Sequence, residues 1–75
     1  MKVLIPNDHW EEGKEGVIVS WIYSNGAQVT EGEAICEVMV EKIQSDFLAP
    51  VSGVLSIVAE ADSIVELGEH IANID

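Results

Sequence analysis

Seventy-five residues make one small domain, near the lower limit for a self-sufficient core. Three lysines face fourteen carboxylates, and the formal charge of −11 argues against nucleic acid and anionic membrane surfaces as partners, because no basic patch can be built. Ten Val and nine Ile supply much of the apolar content, and β-branched side chains suit a pleated, half-buried surface, so the composition favours β structure over helix.

Taken in chain order, Lys2 to Ile5 reads as a short strand ended by Pro6. With Met1-Lys2 running straight into that strand, no signal peptide is expected. Asn7 to Gly16 is polar, carries two glycines and reads as a surface loop, with Trp10 standing out among its acidic residues. Val17 to Tyr23 is a strand and far too short to span a bilayer. Ser24-Asn25-Gly26 closes it, since Asn and Gly both tolerate positive φ. Glu33 to Val40 and Ile43 to Ala49 are further strands, with Lys42 in the tight connection between them. Ala49-Pro50-Val51-Ser52-Gly53 is a second turn, Val54 to Ala59 a strand, and His70 to Ile74 the last strand. No stretch holds a helical apolar period.

The chain repeats itself once. Gly16-Val17-Ile18 matches Gly53-Val54-Leu55 at an offset of 37, while Val29, Gly32-Glu33, Ile35 and Val38 match Val65, Gly68-Glu69, Ile71 and Ile74 at an offset of 36. The slip of one residue is expected in the loop between the two strands of each copy. Two such units, unable to bury a face alone, are expected to pack together as a flattened all-β barrel or sandwich of two antiparallel sheets with pseudo-two-fold symmetry. The hairpin of Lys42 joins the copies, and its tip is expected far from the glycine-rich loops. A lone lysine between two copies, with acidic neighbours on both sides, reads as a point of attachment.

The run Glu37 to Asp46, followed by Ala49-Pro50-Val51-Ser52-Gly53-Val54-Leu55, resembles the lipoyl domains of 2-oxo acid dehydrogenase complexes. Ile5-Pro6, Glu15 to Trp21 and Gly26 to Ile35 fit the same pattern, so the resemblance spans residues 1–75 as one carrier domain. It implies covalent lipoate on Lys42, attached by a lipoate ligase or lipoyl transferase, and no catalysis by the domain itself. It implies service to an acyltransferase, a thiamine-dependent decarboxylase and a dihydrolipoyl dehydrogenase, carrying acyl groups and reducing equivalents in a pyruvate, branched-chain or acetoin complex. A cytoplasmic or mitochondrial-matrix setting and a monomeric domain follow from the same likeness. The family most often has Asp before its lysine, where this chain has Glu41. Biotin carriers, the alternative, have Met on both sides of theirs, whereas the neighbours here are Glu41 and Ile43. An unmodified interaction module of the same fold is a further reading.

Glu41, Ile43, Asp46 and Trp10 are the candidate recognition residues around Lys42. Glu41 either helps a ligase choose Lys42 over Lys2 and Lys14 or keeps a strand end soluble. Trp10 either folds back over the core near Trp21 or belongs to a partner contact, and the lipoyl resemblance implies that its loop lies close to the modified hairpin. The acidic surface reads as steering toward basic partners or as plain solubility. Asp62-Ser63 imitates the attachment motif of acyl carrier proteins, but within the repeat it falls in the same loop as Asn25-Gly26 and reads as a turn. His9 and His70 lack ligand spacing, so no metal is expected. Cys36 reads as core filler; a single cysteine admits no internal disulfide and fits a reducing compartment.

Overall fold

The computed structural model describes all 75 residues, and the chain folds into eight β-strands without a helix. They are β1 (Lys2–Leu4), β2 (Gly16–Trp21), β3 (Gln28–Val29), β4 (Ala34–Val40), β5 (Ile43–Leu48), β6 (Gly53–Ile57), β7 (Ile64–Val65) and β8 (His70–Ile74). Six of them fall where the apolar patterning places strands, with ends displaced by one or two residues. The two-residue strands β3 and β7 escape that reading, because two residues carry no period.

Two four-stranded antiparallel sheets result, in the orders β1-β8-β6-β3 and β5-β4-β2-β7. Exchanging β1 with β5, β2 with β6, β3 with β7 and β4 with β8 turns one order into the other, which is the expected pseudo-two-fold symmetry. The copies do not pack as separate units, however. Each sheet takes two strands from each half, so the halves are interleaved and neither has a core alone. The symmetry also reaches further than the sequence repeat suggests. Ala49 N–H donates to Glu33 O and Gly32 N–H to Ala49 O, at 2.8 and 2.9 Å; Ile5 N–H donates to Glu69 O and Gly68 N–H to Ile5 O, at 3.0 and 2.7 Å. Ile5-Pro6 and Ala49-Pro50 are therefore equivalent.

The one-residue slip lies inside β2 and not in a loop. Ile18 faces Val38 and Ser20 faces Glu37 across β4, leaving Val19 as an extra residue. In the other copy Leu55 faces Ile74 and Ser56 faces Asn73 without interruption. A β-bulge absorbs one residue at the cost of a local unpaired position. Matching bulges occur in both copies at Ile35 and Ile71, where register shifts along β4–β5 and β1–β8. They break the alternation of two, which is why the adjacent pairs Ile35-Cys36 and Ile71-Ala72 are all buried.

Fourteen apolar side chains form the core between the sheets, Ile18, Ile35, Leu55 and Ile71 being fully covered, and no polar or charged side chain is buried with them. Each full-sized aliphatic side chain so buried contributes about 1.5–3 kcal/mol. The core is thus held by apolar burial, and polar chemistry is left to the surface and the loops.

Candidate functional site at the β4–β5 hairpin

Val40 pairs with Ile43, so Glu41 and Lys42 alone connect β4 to β5. A two-residue connection matches strand twist when its central residues include a positive φ, and Glu41 supplies one at 58°. Lys42 is exposed at the apex and takes no part in the three ion pairs of the structure. Ile43, beside it, is 73% exposed, the most exposed large apolar side chain in the chain. Asp46 is exposed too, but it lies down β5 opposite Glu37, about 13 Å of strand from Lys42. The hairpin therefore brings Glu41, Lys42 and Ile43 together and leaves Asp46 apart.

The loop before β2 folds onto this tip, as the family resemblance implies for this loop and against the expectation, drawn from the repeat, that the tip lies far from the glycine-rich loops. Lys14 Nζ lies 3.0 Å from Glu41 Oε1 and 3.2 Å from Glu11 Oε2. The hydrogen bond to Glu41 and then that to Glu11 raise the Lys14 pKa above its ordinary value. A raised lysine pKa means that the stabilisation is fully present below the unfolded value, about 10.4, and is lost as pH rises through the folded value. Sequence reading missed Lys14, for nothing local ties it to a carboxylate on a distant hairpin.

Trp10 does cover the core, but not near Trp21. Its indole N–H donates to Lys14 O at 2.8 Å, and its ring lies over Gly16, where an added Cβ would sit 2.8 Å from Cη2. Trp21 is at the other end of β2, where its indole N–H donates to Ala59 O at 2.8 Å. His9 stands edge-on to both Trp10 and Phe47, with ring centroids 5.7 and 5.5 Å apart. Between loop and hairpin runs a groove of about 380 Å³ whose apolar walls are Trp10, Val40 and Ile43. Glycine at position 16 is what lets the indole lie against β2, and with it the loop against the tip.

The remaining candidates are placed as follows. Asp62 adopts φ 70° and donates its N–H to Ile18 O at 2.7 Å, as Gly26 does to Leu55 O at 2.7 Å, so Asp62 is the equivalent of Gly26 and Asp62-Ser63 lies in the turn that matches the one holding Asn25-Gly26. Cys36 is fully buried, and desolvation pushes its thiol up to about 12, far from a nucleophile's range. His70 Nε2 lies 3.0 Å from Asn73 Oδ1.

A family model described as biotin-requiring enzyme, of the biotin–lipoyl type, matches residues 10–74. The chain belongs to this biotin–lipoyl family. Among curated proteins it is 36% identical, over 73 residues, to the dihydrolipoyllysine-residue acetyltransferase component of the pyruvate dehydrogenase complex of Mycobacterium tuberculosis, and equally to that of Mycobacterium bovis. That alignment covers 96% of this chain and 13% of each relative. The corresponding component of Corynebacterium glutamicum is 40% identical over 63 residues, covering 83% of this chain and 9% of the relative. The chain thus spans about one-eighth or less of the curated relatives it matches. As a biotin–lipoyl family member it has the two-sheet, two-fold architecture described above, with the Glu41-Lys42 turn inside the matched span.

Proposed function

We propose that residues 1–75 are a swinging-arm carrier domain bearing a lipoyl group in amide linkage on Lys42, and that the domain itself catalyses nothing. The observation that carries this reading is an exposed lysine at the apex of a two-residue turn, fixed by two paired strands, in a chain whose relatives are named for a dihydrolipoyllysine residue. The residues present fit the group. The amine reaches solvent without an ion-pair partner, and the core beneath the hairpin keeps its base rigid. When attached, a lipoyl group supplies a dithiolane that takes up acyl groups and reducing equivalents. The protein's part is to hold that arm where other active sites reach it, so that each transfer depends on local concentration and not on tight docking.

The partners in this reading are a lipoate ligase or lipoyl transferase, then the decarboxylase, acyltransferase and dihydrolipoyl dehydrogenase of a 2-oxo acid dehydrogenase complex. Glu41, adjoining Lys42, and exposed Ile43 are the contacts offered to the attaching enzyme, with exposed Asp46 further down β5 and Trp10 on the facing loop as the outlying candidates. Biotin is the second reading, kept because the matching family model is described by it.

Intact mass after co-expression with a lipoate ligase, and separately with a biotin ligase, tests both readings. One lipoyl adduct is expected on the wild-type chain and none on Lys42→Arg. An adduct with biotin alone transfers the reading to the alternative, and no adduct on a folded sample overturns both. Glu41→Ala is expected to slow lipoylation and leave the fold intact; unchanged kinetics would remove Glu41 from recognition.

A further inference from the structure

Glu41 holds φ at 58° although it carries a Cβ. Such a conformation costs a non-glycine residue free energy and persists only where its surroundings impose it. The strand register closes the hairpin, but two-residue turns of this kind draw Asn, Asp or Gly and not Glu. The added constraint comes from the preceding loop. Lys14 Nζ holds Glu41 Oε1 at 3.0 Å and Glu11 Oε2 at 3.2 Å. Lys14 is itself fixed, because the Trp10 indole N–H donates to its carbonyl oxygen and the Trp10 ring is seated on Gly16. Gly16 pairs with Val40, the residue before Glu41. Val40, Glu41, Lys14, Trp10 and Gly16 thus form a closed circuit of backbone pairing, ion pair, hydrogen bond and ring contact around the base of the turn.

We propose that Lys14 is a positioning residue for group attachment at Lys42, acting through Glu41 to keep the turn in the one conformation that an attaching enzyme reads. The inference rests on Lys42 being the attachment site. A turn that is competent for only part of the time lowers apparent affinity by that fraction, while the chemical step in the bound complex is unchanged. Loss of the clasp therefore raises KM for the chain as a ligase substrate and leaves kcat in place. The same clasp engages the Lys14 amine with two carboxylates, so this lysine does not compete with Lys42 for the enzyme.

The test uses the 75-residue chain and a lipoate ligase, following modification by intact mass. Lys14→Met is expected to raise KM by about threefold to fivefold, the scale of an exposed ion pair, with kcat unchanged. Lys14→Arg, which keeps the charge and reaches both carboxylates, restores the wild-type value. In a Glu41→Gln background Lys14→Met adds nothing further, because the two residues act as one unit. Amide hydrogen exchange of the unmodified chain supplies a readout that needs no ligase: Lys14→Met speeds exchange from Glu41 to Ile43 and leaves Ile18 and Val38 as they were. Turn amides unchanged by Lys14→Met, equal losses in both backgrounds, a fall in kcat at constant KM, or no rescue by arginine would each overturn the proposal. A wild-type chain left unmodified at Lys42, by contrast, overturns the attachment reading on which it stands.

Discussion

The β4–β5 hairpin and the β8–β1 end of the molecule are the same place in two copies of one motif, yet only the hairpin end carries an exposed lysine on a two-residue turn. At the β8–β1 end the chain termini lie side by side, with the Met1 ammonium 2.7 Å from Ile74 O and 3.2 Å from Asp75 Oδ1. Gly53 lies against that end, where an added Cβ would be 2.6 Å from Asp75 O. At the hairpin end its equivalent, Gly16, lies under Trp10. The difference arises upstream: residues 7–15 intervene between Pro6 and Gly16, but only Val51 and Ser52 between Pro50 and Gly53. Taken as one continuous insertion, those seven extra residues include Trp10 wherever the insertion is placed, and this loop is what packs on the tip. The symmetric backbone makes a stable frame; the candidate site sits where the symmetry is broken.

The largest expected effect asks whether the two halves share the core equally. Ile18 and Leu55 are equivalent and fully buried, so Ile18→Ala and Leu55→Ala should each cost about 2–5 kcal/mol in urea unfolding. A cost twice as large on one side would break the equivalence. Next come the two glycines. Gly53 has φ 153° and a backbone oxygen in the way, so Gly53→Ala should cost about 2–4 kcal/mol, against about 1–2 kcal/mol for Gly16→Ala, which has an aromatic ring to displace. Equal shifts in thermal midpoint would show that the Trp10 contact is as rigid as backbone.

Smaller effects separate the copies at their turns. Asp62 holds φ 70° where the other copy has Gly26, so Asp62→Gly should gain about 0.5 kcal/mol; a loss would mean that its side chain does something a glycine cannot. The smallest effect concerns Glu33, which accepts hydrogen bonds from Tyr23 Oη at 2.8 Å and Thr30 N–H at 2.7 Å. Those bonds, Tyr23's first, hold its carboxyl below the ordinary value. The stabilisation is then present above the unfolded carboxyl pKa, about 4.3, and is lost as pH falls through the depressed folded one. Tyr23→Phe should move the Glu33 titration, followed by NMR, back upward. The second copy has Ala59 at the position of Tyr23, so only the backbone bond recurs there, from Glu66 N–H to Glu69 at 3.0 Å.

Much of this was legible along the chain because it is local. Apolar and β-branched segments set off by turn residues mark six strands, Asn25-Gly26 marks a turn, and Glu41-Lys42 between Val40 and Ile43 marks a hairpin with lysine at its apex. Val19 was not legible as a bulge, since an extra residue shows itself only against a partner strand. Nor was the seat of Trp10: an indole among carboxylates has no periodicity to aim it, and Gly16 beneath it reads simply as a loop end.

The sequence by itself determined an all-β chain of two similar halves with one lysine at the bend between them, because strand period, turn residues and repetition are properties of neighbouring positions. Only the tertiary structure decided that the halves interleave and that Trp10 and Lys14 close over the bend. Those outcomes depend on which distant strands pair and on where one uncopied loop comes to rest, and such contacts are written in no single stretch of the chain.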